Sequence, residues 1–393
     1  MRFAENMIGV AVGWQVYAIH KNPFDLGLIG LCEFAPLPIL ALPAGQLADR
    51  IPRRLQALLS LGMMVSVAAG LLVVTVNSAS KTWPFFLLAG ATGVASAIGW
   101  PAFGALTPEL VPAELLPGAM VLRSIAGQAA VVAGPALGGV LFSVHPESVY
   151  AVAAALFAVA LAALLGLRGR PLVRSVERAP GFAGLADGVR FVLRTRMLLG
   201  AIALDLFAVL FGGAIALAPV FAREILHVGP IGLGVLRSAP AVGALAAGIV
   251  LARRPLQTRA GPTLLVVVGV FGACMVVFGL SRSMELSVAA LGIAGFVDMI
   301  SVNIRSTTVG LITPNELRGR VNAVEMIFIS ASNELGAFES GALAALVGTV
   351  TSVVAGGIAT IGLALSWTRL FPSLARLGRL EDIRPEPVAT LVR

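Results

Sequence analysis

The chain has 393 residues, of which 58% are hydrophobic and only 12% are charged, and its mean hydropathy is +0.94. Because soluble globular proteins carry about 25% charged residues, this composition excludes an ordinary water-soluble domain. The formal net charge of +8 does not indicate nucleic-acid binding, since the arginines lie in short groups between apolar runs and not on one element.

Twelve apolar runs dominate the sequence, and a transmembrane helix needs about 20 such residues. We number them spans 1 to 12 in chain order: 4–19, 26–47, 55–76, 83–106, 117–143, 148–167, 197–221, 230–251, 263–281, 286–312, 320–347 and 350–371. The sequence therefore predicts an all-α membrane protein with twelve transmembrane helices in two six-helix bundles. The predicted domains are a bundle at 1–167, a cytosolic linker at 168–196, a bundle at 197–371 and a cytosolic tail at 372–393.

The lysines and arginines between the spans predict the orientation, because cytosolic loops are enriched in these residues. If the loop after span 2 is cytosolic, 20 of the 28 lysines and arginines lie on that side. The outer loops then hold Lys21, Lys81, Arg223 and Arg282. This predicts a multi-pass protein of the bacterial cytoplasmic membrane with both termini in the cytosol.

Span 1 is short for a transmembrane helix. Between Glu5 and His20 there are only 14 residues. They would form about 21 Å of helix, against a hydrocarbon core of about 30 Å. Either Arg2 and Glu5 are drawn into the membrane, or the chain lacks the start of this helix; we favour the second interpretation.

The two halves of the sequence resemble each other. Residues 30–36 in span 2 match residues 234–240 in span 8, with Gly first and Ala-Pro last in both. A second spacing pairs residues near spans 5 and 11: Glu114 with Glu316, Arg123 with Glu325, and Gly134 with Gly336. Both spacings are close to half the chain, so they indicate an internal duplication, which is common in transporters.

The loop after span 2 carries the motif Gly-Gln-Leu-Ala-Asp-Arg-Ile-Pro-Arg-Arg at residues 45–54. A glycine permits close helix contact, an aspartate can accept hydrogen bonds from a helix start, and arginines anchor at the cytosolic surface. The motif resembles the signature loop of the major facilitator superfamily, with Pro52 where that family usually has glycine. The resemblance covers nearly the whole chain. It implies a secondary transporter whose two bundles are locked on the inner side by Gly45, Asp49, Arg50, Arg53 and Arg54.

Span 5 carries Gly134, Pro135, Gly138 and Gly139 in the run Gly-Pro-Ala-Leu-Gly-Gly. The proline bends the helix and the glycines permit tight helix packing. The run is similar to the core of a motif that accompanies antiporters and exporters in this superfamily, so it implies export. Glycines that serve packing alone would give the same pattern, and two upstream glycines of the full motif are absent.

Shorter stretches resemble the enterobactin-exporter branch of the superfamily: residues 13–17, 100–102, 108–112 and 313–321. This resemblance implies efflux of a siderophore or another amphipathic compound. The arginine that drug antiporters carry in span 4 is replaced by Ala89, which does not favour their usual proton relay.

Ionisable residues inside transmembrane spans are rare and costly, so each is a candidate functional residue. Beyond Arg2 and Glu5 they are Glu33, Arg123, Asp205, Arg237, Asp298, Arg305, Glu325, Glu334 and Glu339. Six carboxyl groups thus meet three arginines. Even full pairing leaves about three carboxyl groups able to bind protons, as proton coupling requires.

Helix direction and a rise of about 1.5 Å per residue place these charges in layers. Arg123, Asp205, Arg305 and Glu325 fall about 8–12 Å from the cytosolic edge, Asp298 lies near the middle, and the others lie toward the outer side. We expect the layers to form an inner and an outer gate that open alternately, with Asp205 and Arg305 as the main pair. The alternative is that the charges only hold helices together, above all Glu334 and Glu339.

Aromatic and amide side chains inside the spans are candidates for the wall of a substrate cavity. They are Trp14, Gln15, Tyr17, Trp100 and Asn303. Trp14 and Tyr17 are three residues apart and share a helix face. Interfacial aromatic anchoring or simple packing would explain them equally well.

The sequence predicts no enzyme, no cofactor and no metal site, since it has no phosphate-binding loop, no metal-ligand spacing and no nucleophile elbow. Cys32 and Cys274 fall in apolar runs and are interpreted as small buried hydrophobic residues. The leading hypothesis is proton-coupled export of a small amphipathic molecule by alternating access. We expect a monomer whose partners are this substrate, protons and membrane lipids, and not nucleic acid. The alternatives are an importer or lipid flippase on the same fold, and a non-transporting receptor or assembly subunit.

Overall fold

The computed structural model describes residues 1–40, 51–77, 80–112, 114–167, 182–254, 259–380 and 383. Within these ranges every regular element is a helix. The helices are α1 Arg2–His20, α2 Pro23–Leu40 with a turn at Ala35, α3 Arg53–Val76, α4 Trp83–Leu110, α5 Leu116–Val144, α6 Pro146–Gly166, α7 Phe182–Arg194, α8 Arg196–Ile225, α9 Gly229–Arg253, α10 Ala260–Leu280, α11 Met284–Ile312, α12 Arg318–Val347, α13 Thr349–Leu370 and α14 Pro372–Ala375. The predicted all-α fold is confirmed.

Ten helices among the described residues are long and apolar enough to cross a membrane, namely α2 to α6, α8 to α11 and α13. Two further long helices, α1 and α12, carry more polar residues and complete the twelve. α1 has 19 residues, about 28 Å of helix. It includes Arg2 and Glu5.

Local sequence signals determine several helix ends. The side-chain oxygen of Asn22 accepts a hydrogen bond from the Phe24 N–H at 3.0 Å, and Pro23 follows as the first residue of α2. Ser283 caps α11 in the same way. Between α12 and α13, Gly348 has a φ of 90°, a backbone conformation that glycine adopts without strain.

The chain divides into two compact units. Unit 1 comprises Met1–Ala179 together with Ala218–Ser238. Unit 2 comprises Pro180–Leu217 together with Ala239–Arg393. Unit 1 therefore contains α1 to α6 and also the end of α8 and the first part of α9, a piece that we call segment 218–238.

In unit 1, α1 packs against α5 and α6, α3 packs against α4 and α6, and α2 packs against α4. The contact of α2 with α4 requires a glycine, because a Cβ on Gly93 would collide with the carbonyl oxygen of Glu33. In unit 2, α10 packs against α11 and α13, while α12 packs against α7, α8 and α13. There a Cβ on Gly295 of α11 would collide with the carbonyl oxygen of Pro240 in α9.

Glycines that the repeat pairs make equivalent contacts in the two units. A Cβ on Gly134 of α5 would lie 2.7 Å from the Cβ of Asn6 in α1. A Cβ on Gly336 of α12 would lie 2.9 Å from the carbonyl oxygen of Val209 in α8. The packing of α5 on α1 therefore corresponds to that of α12 on α8, which supports the duplication. By the same correspondence Arg123 and Glu325 occupy equivalent positions with opposite charges.

The amphipathic helix α7 lies against α12 within unit 2. Arg320 donates a hydrogen bond from Nη1 to Asp187 Oδ2 at 3.0 Å. Phe191 and Val192 are buried in a cluster that includes Val321 of α12. These contacts attach α7 to the first turns of the helix that carries Glu325.

Candidate functional site

An ion pair lies inside unit 2 between α8 and α11. Arg305 Nη1 contacts Asp205 Oδ1, and the two side chains are only 9% and 12% exposed. A buried charge requires such a partner, because an isolated ion in an apolar interior is strongly disfavoured. The sequence predicted this pair from similar depth and from the resemblance, which implies that spans 7 and 10 face the cavity, and the structure brings the two residues together.

Two more carboxyl groups lie near this ion pair. Glu325, from α12, lines a cavity of about 10 Å³ with Asp205 and Arg305, roughly the space of one water molecule. Asp298, seven residues before Arg305 on α11, interacts electrostatically with both members of the pair, and so does Glu325. We call these four residues the Arg305 cluster. Its cavity is too small for a substrate. Its carboxyl groups are able to bind and release protons, whereas the guanidinium stays charged.

Segment 218–238 rests on one face of α1. Gly9, Gly13 and Tyr17 recur every four residues and form a stripe on that face. Arg237 Nη1 donates a hydrogen bond to the carbonyl oxygen of Gly9 at 2.6 Å. A Cβ on Gly13 would lie 3.2 Å from Pro219. The two glycines therefore leave room for the segment.

Two aromatic residues of α1 hold adjacent charged residues of segment 218–238. The guanidinium carbon of Arg223 lies 5.6 Å from the centre of the Trp14 ring. The Tyr17 hydroxyl donates a hydrogen bond to the Glu224 carboxylate. Arg223 and Glu224 lie in a π-helical turn at the end of α8, and such turns are frequent at functional sites. The sequence predicts Arg223 in an outer loop, whereas the structure places it in this helical turn beside Glu224. The adjacent opposite charges of Arg223 and Glu224 are the sequence signal that could have identified this pair.

Gln15 points to a different side of α1. Its Oε1 accepts hydrogen bonds from the Tyr150 hydroxyl at 2.9 Å and from the Thr75 hydroxyl at 3.2 Å. This network ties α1 to α3 and α6 inside unit 1. Thr75 and Tyr150 were not predicted, because single hydroxyl groups in apolar helices give no pattern.

The exporter-like run of α5 is a close-packing surface on two sides. Cβ atoms on Gly134 and Gly138 would collide with α1, the latter at 2.9 Å from the carbonyl oxygen of Met7. A Cβ on Gly139 would collide with the carbonyl oxygen of Pro230 in segment 218–238. Pro135 lies inside the helix and is buried between them. The run thus joins α5 both to α1 and to segment 218–238.

The predicted signature loop after span 2 lies partly outside the described residues, which is the case for Gly45, Asp49 and Arg50. Arg54 donates hydrogen bonds from Nη2 to the carbonyl oxygens of Leu164 and Leu165, at 3.2 and 2.9 Å. These carbonyls end α6 and have no partner within that helix, so the guanidinium caps it. Arg53 is half-buried at the start of α3.

The remaining candidate residues lie outside the Arg305 cluster. Arg123 of α5 donates a hydrogen bond to the carbonyl oxygen of Gly104 in α4, and the Arg2 guanidinium lies over the Trp100 ring. Asn303 is half-buried two residues before Arg305, so it does not share that residue's face of α11. Half-buried positions are also occupied by Glu33, Glu334 and Glu339.

A sequence model of the major facilitator family described as transmembrane secretion effector matches residues 3–385. The chain belongs to this family. The enterobactin exporter EntS of Citrobacter koseri is 27% identical to it over 388 residues, 97% of this chain and 91% of that protein. The predicted resemblance to the superfamily and its enterobactin-exporter branch is therefore confirmed.

Solved structures share the fold at low sequence identity. A mutant of the nucleoside transporter NupG has a TM-score of 0.72 at 12% identity, covering 94% of this chain and 97% of that chain. A bacterial homologue of the iron transporter ferroportin has a TM-score of 0.70 at 14% identity, covering 96% of each chain. The protein is thus a multi-pass membrane transporter with the major facilitator fold.

Proposed function

We propose that this protein exports a small amphipathic molecule across the bacterial cytoplasmic membrane by alternating access, in exchange for protons. The observation that carries the proposal is the Arg305 cluster, in which one buried guanidinium contacts Asp205 and interacts electrostatically with two further carboxyl groups. Exporters among its relatives support the direction of transport. The protein acts as a monomer with both termini in the cytosol, where most of its basic residues lie.

The Arg305 cluster suits proton coupling because its charges cannot all be compensated at once. One guanidinium neutralises one carboxylate, and each further carboxylate would remain costly as an anion in this buried setting. A proton taken up by Asp205 would release Arg305 toward Asp298 or Glu325. Because these carboxyl groups come from three helices, the change of partner would alter how α8, α11 and α12 are held together.

The face of α1 that holds segment 218–238 provides the outer closure in this mechanism. Its polar contacts are the hydrogen bond of Arg237 at Gly9 and those of Trp14 and Tyr17 with Arg223 and Glu224, and these would break when the segment leaves α1. Release of the segment would open the outer side, while its return would close that side during loading from the cytosol.

The test is accumulation of probe compounds in inside-out membrane vesicles with an imposed proton gradient. The probes are enterobactin, the aromatic anion fluorescein and the aromatic cation rhodamine 6G. We expect gradient-dependent uptake of at least one probe by the parent protein. D205N and R305A should lower it about tenfold or more, which corresponds to about 1.4 kcal/mol on the barrier.

E285Q is the matched control, since Glu285 is an exposed carboxylate in the first turn of α11. It removes a charge from the same helix without touching the cluster. If D205N and R305A keep the flux and pH dependence of the parent, the cluster does not couple protons. If the parent accumulates none of the probes, the export proposal fails and uptake, lipid flipping or a non-transporting role remains.

A further inference from the structure

The cytosolic end of α4 receives two arginines from other helices of unit 1. The guanidinium carbon of Arg2, from α1, lies 5.8 Å from the centre of the Trp100 ring. Arg123, from α5, donates a hydrogen bond from Nη1 to the carbonyl oxygen of Gly104 at 3.1 Å. Gly104 follows Trp100 by one helical turn. One guanidinium therefore lies over the Trp100 ring, and a second contacts the backbone of α4 one turn further on.

The same two arginines also approach each other along α5. Arg2 Nη1 lies 3.9 Å from the position that a Cβ on Gly127 would occupy. Gly127 follows Arg123 by one turn, so it lies on the same face of α5. Three helices thus converge here, and we call Arg2, Trp100 and Arg123 the Trp100 cluster.

The side chains of the Trp100 cluster are exposed at the surface of unit 1. Trp100 is 43% exposed, and both arginines are exposed as well. Arg123 lies seven residues into α5, about 10 Å along its axis. At that depth a guanidinium that faced lipid would be costly, and such groups face water-filled space instead. The cluster therefore borders water on the cytosolic side of unit 1.

Positive charge in the Trp100 cluster is only partly balanced. Among the side chains that the structure describes, neither guanidinium forms a salt bridge, although Glu5 on the next turn of α1 interacts with the charge of Arg2. Arg123 contacts a neutral carbonyl oxygen. Because each guanidinium has five N–H donors, both retain donors for a further partner.

We propose that the Trp100 cluster is the cytosolic loading site for the anionic aromatic part of the exported molecule. The guanidinium groups would bind a carboxylate or phenolate with charge-assisted hydrogen bonds. The Trp100 ring would stack on the aromatic group that carries the anion. This inference rests on the proposed export function and narrows its substrate class to aromatic anions.

The test is binding of fluorescein and rhodamine 6G to the full-length purified protein, each measured by titration. Wild-type protein is expected to bind fluorescein. R123Q should raise the dissociation constant for fluorescein about tenfold, which corresponds to about 1.4 kcal/mol. W100A should raise it by a similar factor, because the stacking contact is lost. Rhodamine 6G binding should change little in R123Q, because a cation gains nothing from a guanidinium. R123K should recover part of the fluorescein affinity, since it restores the charge without the planar group.

R282Q is the matched control, because Arg282 is an exposed arginine before α11. R2Q provides a second variant at the start of α1, so the outcome does not depend on the folding of R123Q alone. An equal loss of affinity for fluorescein and for rhodamine 6G in R123Q would show that Arg123 only supports packing. Unchanged fluorescein affinity in R123Q and R2Q, or no fluorescein binding by the parent, would overturn the site.

Failure of the site and failure of export give different results. If fluorescein binds in an Arg123-dependent manner but no probe accumulates in vesicles, the site stands and the export function falls. If enterobactin or rhodamine 6G accumulates with the proton gradient while R123Q binds fluorescein like the parent, export stands and the site falls.

Discussion

Arg305 of α11 contacts Asp205 of α8 and also interacts electrostatically with Asp298 of α11 and Glu325 of α12. This makes it unlike an arginine with a single partner. If Asp205 loses its charge, Arg305 still has Asp298 and Glu325 nearby. If a substitution removes the charge of Arg305, three carboxyl groups remain without their shared cation. Substitutions of Asp205 and of Arg305 should therefore lower the stability of the protein by different amounts.

We predict that R305Q destabilises the protein more than D205N does. Removing one partner of a buried ion pair costs about 3–5 kcal/mol, and the loss of the shared cation should lie at the upper end. Thermal unfolding of purified protein in detergent measures the difference, with E285Q as the control for charge removal. Equal midpoints for R305Q and D205N would contradict the shared-cation arrangement.

We also predict that acidification reduces the difference in stability between R305Q and the parent protein. Protonation neutralises the three carboxyl groups that R305Q leaves uncompensated, so the variant gains relative stability as the pH falls. The test measures the unfolding midpoints of both proteins at pH 8 and at about pH 5.5, and compares the difference between the two midpoints at each pH. A gap that stays constant would indicate that the cost of R305Q comes from lost packing and not from charge.

At the level of the helices, α5 shows how glycine determines which helices can touch. Gly138 lies against the backbone of α1, where no side-chain movement can make room for a methyl group. Gly118, at the start of the same helix, has nothing within 4 Å of the position of its missing Cβ. The same substitution at the two positions should therefore have opposite effects.

We predict that G138A destabilises the protein by about 1–3 kcal/mol through overpacking. G118A should be neutral or stabilising by up to about 1 kcal/mol, because alanine is the better helix former. Thermal unfolding of the two variants tests this. If both behave alike, the close contact of α5 with α1 is not the reason for Gly138.

The stripe on α1 gives a prediction for the outer closure. G13L would place a bulky side chain against Pro219 and hold segment 218–238 away from α1.

The test measures how fast a cysteine in the segment reacts. The reporter is A222C in a C32S/C274S background, since Ala222 is fully buried. We expect G13L to speed labelling of this cysteine by an impermeant maleimide from outside the cell and to abolish transport. G62L is the control, because Gly62 of α3 has open space around it; labelling no faster in G13L than in G62L would refute the closure.

Much of this architecture follows from the sequence, but the contacts between helices do not. Long apolar runs gave the spans, since their signal is local and depends on composition. Depth along the helices, together with the resemblance to the superfamily, was enough to pair Asp205 with Arg305. It did not show that Trp14 and Tyr17 hold Arg223 and Glu224, because which face of α1 meets which helix depends on packing. The assigned domain boundaries and the roles of the candidate residues stay predictions.

At the scale of the whole molecule, the duplication relates the two proposed sites. Equivalent helices, α5 and α12, carry Arg123 and Glu325 at equivalent positions. In unit 1 the position belongs to a basic and aromatic cluster that is open to water. In unit 2 it belongs to a closed, acidic cluster. The two copies of one helix have thus acquired opposite charges, one suited to an anion and the other to a proton.

These opposite signs have an electrical consequence. An anion that leaves the cell and a proton that enters it both move positive charge inward. Each elementary charge that crosses 100 mV is worth about 2.3 kcal/mol, so exchanging a monoanion for one proton would draw about 4.6 kcal/mol from the membrane voltage alone. Export would then continue when the pH is equal on both sides, driven by the negative interior of the cell.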